Sequence, residues 1–208
     1  MALVKLNNRG VRSVSTFGSI SSIGTYTLIK KITASSSATV SFVNGSSDVV
    51  LDGTYKEYLF TYNNIHPATD AAEFQFNGST DTGSNYNATK TTTSVYAFNY
   101  EDASSTGFGY STANDIAQGT GFQNLADDVG NDNDQSASGY IHLFEPASTT
   151  FTKMFINTGV HSMNDDRINN RRQAGYFNTT SAIDAMQFKF SSGNIDAGTI
   201  KLYGLKDS

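Results

Sequence analysis

The stretch Asp127-Asp128-Val-Gly-Asn-Asp132-Asn-Asp134 is the densest run of carboxylates in the chain. Alternating carboxylates and amides are hard oxygen donors of the kind calcium takes, and Asp132, Asp134 and Ser136 repeat the spacing that opens an EF-hand loop. The glycine expected at the sixth position of such a loop and its closing glutamate are missing; Ala137 and Leu143 stand there. Asp128, Asp132 and Asp134 are therefore calcium candidates, set against the plainer alternative of a solvated turn. No other metal or cofactor is indicated.

The three histidines, His66, His142 and His161, stand in no metal-binding spacing, and nucleophile-elbow, P-loop and dinucleotide-binding glycine patterns are lacking. His142 alternates with Tyr140 and Phe144, which reads as a core or interface histidine on a strand. Glu57, Glu73, Glu101 and Glu145 are far apart in the chain and give a glycosidase pair no positive support. Arg167, Arg171 and Arg172, beside Asp165 and Asp166, are candidates for contact with another subunit; in a solvated loop such pairs would contribute little. Loop Tyr and Asn residues can also form a glycan-binding surface, although no specific motif marks one. No catalytic residue is assigned, and the expectation is a protein that is not an enzyme.

Whatever these groups do, strands must position them. Met186, Phe188 and Phe190 alternate with Gln187 and Lys189, and further on Ile200 and Leu202 alternate with Lys201 and Tyr203. Period-2 alternation predicts two half-buried strands, joined through glycine and asparagine as an antiparallel pair. Other strands are predicted over 25–32, 38–43, 55–63, 74–76, 86–93, 94–100, 139–144, 151–158 and 175–177. Turns are expected at Ala34-Ser-Ser-Ser37, Asn44-Gly45, Asp52-Gly53, Asn77-Gly78 and Thr82-Gly83. Residues 101–137 and 162–172 read as long polar loops, with a helical turn near Gln123 to Asp128. About ten short strands without crossover helices predict an all-β fold of two packed antiparallel sheets, most economically a jelly-roll-like β-sandwich.

Residues 1–24 have a different texture. Val11, Val14, Phe17, Ile20 and Ile23 recur every third position, which drifts about 60° per step on a helix but aligns on a polyproline-like segment. They are expected to form an extended arm for attachment and oligomerisation, with irregular chain packed on its own domain as the alternative. The sandwich would then occupy 25–208.

Composition limits the partners. The 208 residues include 11 Tyr and 14 Phe but no Cys, which removes disulfides and thiolate chemistry. A net charge of -5 with 14 Lys plus Arg leaves no basic footprint for nucleic acid. There is no apolar run long enough for membrane insertion, and the N-terminal residues lack the order of a signal peptide, so synthesis in a cytoplasm is expected.

Several stretches carry a resemblance: Leu6-Asn-Asn-Arg-Gly10, Tyr55-Lys-Glu-Tyr-Leu-Phe60, Asn64-Ile-His-Pro-Ala-Thr-Asp70, Gly130-Asn-Asp-Asn-Asp-Gln135, Ala174-Gly-Tyr-Phe-Asn-Thr-Thr-Ser181 and Gln187-Phe-Lys-Phe190 through Gly204. Together they resemble a family of small virion proteins of tailed phages of marine bacteria, of the cyanophage and pelagiphage type, over nearly the whole chain. The resemblance implies a β-sandwich on the outside of a virion and brings no catalytic residues with it. The expected role is a capsid decoration protein, docked through its arm onto the major capsid protein or another virion protein and assembled with its own copies as a trimer. The alternative is a fibre-type or tail-associated protein that attaches to a host-surface glycan.

Overall fold

A computed structural model describes residues 26–205. Among them the chain forms twelve strands: β1 (Tyr26–Ser37), β2 (Val40–Val43), β3 (Glu57–Pro67), β4 (Ala72–Ser79), β5 (Lys90–Tyr100), β6 (Thr106–Tyr110), β7 (Gln123–Val129), β8 (Ala137–Phe144), β9 (Lys153–Ser162), β10 (Arg167–Phe177), β11 (Ala185–Phe190) and β12 (Ile195–Leu205). They make two sheets, one of eight strands in the order β1-β12-β3-β8-β9-β10-β5-β6 and one of four in the order β2-β11-β4-β7. The strand pairs are antiparallel throughout. The expected all-β fold of two packed antiparallel sheets is observed, and no described helix is long and apolar enough to cross a membrane.

Alternation explains which faces meet. In β3, Tyr58, Phe60 and Tyr62 are buried while Leu59 and Thr61 between them are only partly so. Across from them, β4 and β11 turn Phe74, Phe76 and Phe188 inward, and the rings of the two layers touch. Tyr62 packs on Phe74 at 5.3 Å, Phe60 on Phe188 at 5.7 Å and Phe76 on Phe155 at 5.2 Å between ring centroids. Aromatic contacts of this kind add to the area they bury, so this inter-sheet layer is the main source of stability.

The layers are unequal. Among the eight strands β1, β12, β3 and β8 of the large sheet and β2, β11, β4 and β7 of the small one, strands successive in the chain lie in opposite sheets except β4 and β7, which pair side by side. The excess is two hairpins, β5–β6, which follows β4, and β9–β10, which follows β8. Side by side as β9-β10-β5-β6, they extend the large sheet past β7, the edge of the small one. This extension carries the polar residues discussed below.

Several expectations are corrected. The last two strands are not paired: β11 lies in the small sheet between β2 and β4, β12 in the large sheet between β1 and β3. Alternation reports that one face of a strand is buried, and two strands facing each other across a core alternate just as two paired strands do. Residues 123–128 are strand β7, hydrogen-bonded to β4, where a helical turn was expected. The polar loop expected over 162–172 shrinks to a turn closed by Met163 N–H to Arg167 O at 2.9 Å, after which β10 begins. Ala34–Ser37 ends β1, Asn77-Gly78 lies inside β4, and one strand, β5, replaces the two expected over 86–100. Gly78 fits there because a Cβ would come within 2.9 Å of the Phe177 ring.

The arm expected over 1–24, with Val11, Val14, Phe17, Ile20 and Ile23, lies outside the described residues.

Candidate functional site

The inner face of the extension is polar where the rest of the interior is apolar. From β5 it receives Lys90, Thr92 and Ser94, from β9 Lys153, Asn157 and His161, and from β10 Asn169, Arg171 and Gln173, all buried. Burial of such groups is tolerable only when partners satisfy them. The chain between β6 and β7 supplies many. Lys90 Nζ donates to Asn77 Oδ1 at 2.8 Å, Ala88 O at 3.1 Å and Gly121 O at 2.6 Å. Thr92 Oγ1 donates to Gln123 Oε1 at 2.6 Å, and Gln123 Nε2 donates to Asn114 O at 2.8 Å. Removal from water pulls the Lys90 ammonium down to a pKa of about 8.

At the centre stands Asp127, at the β7 edge. Arg171 Nη2 lies 2.6 Å from its Oδ2, and His161 Nε2 lies 3.2 Å from its Oδ1 but off the hydrogen-bonding direction. Burial alone would raise the Asp127 carboxyl, but His161 and the Arg171 charge outweigh it and hold the pKa at about 2. Ser94 Oγ accepts from Arg171 Nη1 at 2.9 Å. Asp127 Oδ1, Asn169 Oδ1, Arg171 Nε and both His161 ring nitrogens are left without a hydrogen-bond partner. His161 is 1% exposed, so its ring is sealed from solvent.

Beyond β7 the small sheet stops, and a bay of about 260 Å³ opens over the extension. Its floor is Asn169 and Arg171, one wall is Tyr96 and Phe98, and its rim includes Ser111 and Arg167. Tyr96 and Phe98 lie side by side, 17° from parallel with centroids 6.2 Å apart. They cross the edge strand β6 at Gly109 and Gly107, where a Cβ would stand 3.1 Å from the Tyr96 hydroxyl and collide with the Phe98 ring. The alternating glycines of β6 thus give the two rings room to lie across it. Arg167 stacks over Phe98 and Tyr100 at 5.3 and 5.4 Å and pairs with Asp165 at 3.0 Å.

The opposite face of the extension is different. Met154, Ile156 and Val160 of β9 and Tyr140 of β8 point away from the core and are exposed, Met154 by 61%. Met154 and Ile156, with Phe144, Phe151 and Ala174, border a groove of about 610 Å³ that is almost wholly apolar. Exposed apolar surface of this extent marks a contact site more often than a free surface.

The structure separates the residues singled out above. The described residues hold no group of three or more His, Cys, Asp or Glu placed for a metal ion, and Asp128, Asp132 and Asp134 are exposed and do not converge. Asp132 forms a turn instead, its carbonyl accepting from Gln135 N–H at 2.9 Å. Burial, and next the neighbouring Asp127 charge, raise the Asp128 carboxyl. Of the three arginines, Arg172 is exposed on the outer face and Arg167 is half-buried, whereas Arg171 is 1% exposed. Arg171 is therefore no surface contact: strand pairing turns its side chain inward, toward Asp127. His142 is half-buried on the outer face, its Nε2 2.7 Å from Glu57 Oε2, and His66 Nδ1 lies 2.9 Å from Gln135 O. Sequence reasoning missed Asn169 because β10 is polar on both faces and reads as loop; Tyr96 and Phe98 fall on the strand expected over 94–100, but nothing in the sequence marked them as site residues.

Comparison with protein-family models, with curated proteins and with solved structures finds no match.

Proposed function

We propose that this chain is a non-enzymatic structural subunit of a phage virion, a capsid decoration protein built on a jelly roll and joined to its own copies, as a trimer, through the outer face of the extension. The observation that carries the reading is the exposed apolar band of Tyr140, Met154, Ile156 and Val160. Burying such a band between copies stabilises an assembly at roughly 25 cal/mol per Å² before association costs. The jelly-roll reading is supported by strand order: β1-β12-β3-β8 in one layer and β2-β11-β4-β7 in the other, first beside last, with successive strands of the eight in opposite layers except β4 and β7. The resemblance over nearly the whole chain points the same way. Residues 1–24 serve as the arm that attaches the trimer to the major capsid protein. Tyr26, where the described chain begins, is in register with Leu205, Leu205 with Glu57 and Glu57 with Phe144, at the end of the large sheet that carries the groove.

Light scattering on the purified chain tests the assembly step. A trimer is expected for the natural sequence and a folded monomer for Met154→Lys/Ile156→Lys; a natural chain that stays monomeric at every concentration overturns it. Quantitative mass spectrometry of purified particles tests placement. Copies in step with the major capsid protein support decoration. A few copies per particle would favour the second reading, a fibre or tail protein that attaches to a host-surface glycan, for which the polar bay speaks.

A further inference from the structure

We propose that the bay between β5, β10 and the end of β7 binds a single neutral sugar ring, the terminal or branching residue of a glycan. The inference rests on the bay alone and does not require the virion reading.

Size is the first constraint. A volume of about 260 Å³ equals roughly nine waters at their share of liquid volume, the scale of one pyranose.

Charge is the second. Each guanidinium at the bay already has a carboxylate, Arg171 with Asp127 at 2.6 Å and Arg167 with Asp165 at 3.0 Å. An anion would meet Asp127 and a cation would meet the arginines, so the bay offers neither an uncompensated partner. A neutral polar molecule is what remains.

The third is the arrangement of polar and apolar walls. Tyr96 and Phe98 present two nearly parallel rings on one side, held flat over the β6 glycines, with the Arg171 and Arg167 guanidiniums 5.9 and 5.3 Å from their centroids. On the other side Ser111, Asn114, Asp127, Asn169 and Arg171 mix donors with acceptors. Asn169 and Arg171 are 4% and 1% exposed, and each keeps an atom without a hydrogen-bond partner, Oδ1 and Nε. A pyranose has this same division: a C–H face that packs on aromatic rings and a belt of hydroxyls, each both donor and acceptor.

The test is saturation-transfer NMR on the full chain, with the methyl glycosides of glucose, galactose, mannose and N-acetylglucosamine as probes and adenosine as a planar control. Saturable transfer from at least one glycoside is expected, weakened about tenfold or more by Tyr96→Ala and by the rim variant Ser111→Ala, and unchanged by Met154→Lys on the opposite face. Dispersed amide spectra of each variant verify folding. No saturable transfer from any of the four glycosides overturns the proposal. So does transfer that Tyr96→Ala and Ser111→Ala leave intact, or tighter binding of adenosine than of every glycoside. Because the readout is binding and not assembly, it fails or succeeds separately from the light-scattering test.

Discussion

Arg171 Nη2 meets Asp127 Oδ2 at 2.6 Å where the edge of the small sheet crosses the inner face of the large one, and the pair is the charged link between β10 and β7. A buried ion pair stabilises little relative to a well-packed apolar pair, but removing one partner strands the other charge. Arg171→Met is expected to cost about 3–5 kcal/mol, and Asp127→Asn with Arg171→Met together clearly less than the sum of the two. Urea denaturation of the two single variants and the double variant measures this; additive losses would mean that the two charges do not depend on each other.

The same pair sets an acid limit. The Asp127 carboxyl is held at about 2 in the folded chain against 3.8 ordinarily, so on acidification the unfolded chain takes up the proton first. The stabilisation is complete above about pH 4 and is lost as pH falls through about 2, amounting to about 2 kcal/mol. Comparing urea midpoints at about pH 6 and about pH 2.5, the natural chain should lose more than Asp127→Asn does. Equal losses would assign the acid sensitivity to other carboxylates.

How far the sequence could be read follows from what alternation encodes. Tyr58, Phe60 and Tyr62 announce a strand because one face is buried among apolar groups, and the whole inter-sheet layer was legible for that reason. In β10 the inward residues are Asn169, Arg171 and Gln173, so the alternation runs polar against polar and the strand disappears into a loop. The polar side of the candidate bay, Asn169 and Arg171, lies on that strand and was hidden with it, whereas Tyr96 and Phe98 stood on a strand that was legible. The partner of each strand was equally hidden: β11 and β12 show the expected faces, yet their neighbours come from residues more than a hundred positions away. The groove on the outer face was illegible for a further reason, since Met154 and Ile156 look like core residues until the opposite face of β9 proves to hold Lys153, Phe155 and Asn157.

Tyr62 offers a sharp test of packing beside the polar face. Its hydroxyl donates to Asn157 Oδ1 at 3.0 Å and sits over Gly139 and Gly159, paired glycines of β8 and β9. Desolvation keeps the phenol protonated well above the ordinary tyrosine range. Tyr62→Phe should cost about 1–3 kcal/mol by leaving Asn157 Oδ1 without its donor. Gly139→Ala should cost more, because its Cβ would press on the Thr158 carbonyl and the Gly159 backbone, neither of which can swing aside. Thermal melts of the two variants rank them; a milder effect from Gly139→Ala would show that β8 and β9 part easily.

Lys90 closes the argument about the polar interior, since its ammonium joins β5 to β4 and to the chain entering β7 through three oxygens. Lys90→Met keeps most of the volume but takes the ammonium donor from the Ala88 carbonyl and leaves the Gly121 carbonyl only the longer contact from Asn77 Nδ2 at 3.3 Å, for an expected loss of about 2–4 kcal/mol at neutral pH. The pH dependence has the same sign as that of Asp127, stability rising with pH, but here it is the charged form that folding disfavours. With the folded pKa lowered to about 8 from 10.5, the unfolded chain holds the proton across that window while the folded chain gives it up. Burying the charge therefore costs stability below about pH 8, and the cost is relieved as pH rises toward 10.5, so the gap between the natural chain and Lys90→Met should widen from pH 8 upward. A gap that narrows instead would mean that the three oxygens favour the ammonium more strongly than its removal from water opposes it.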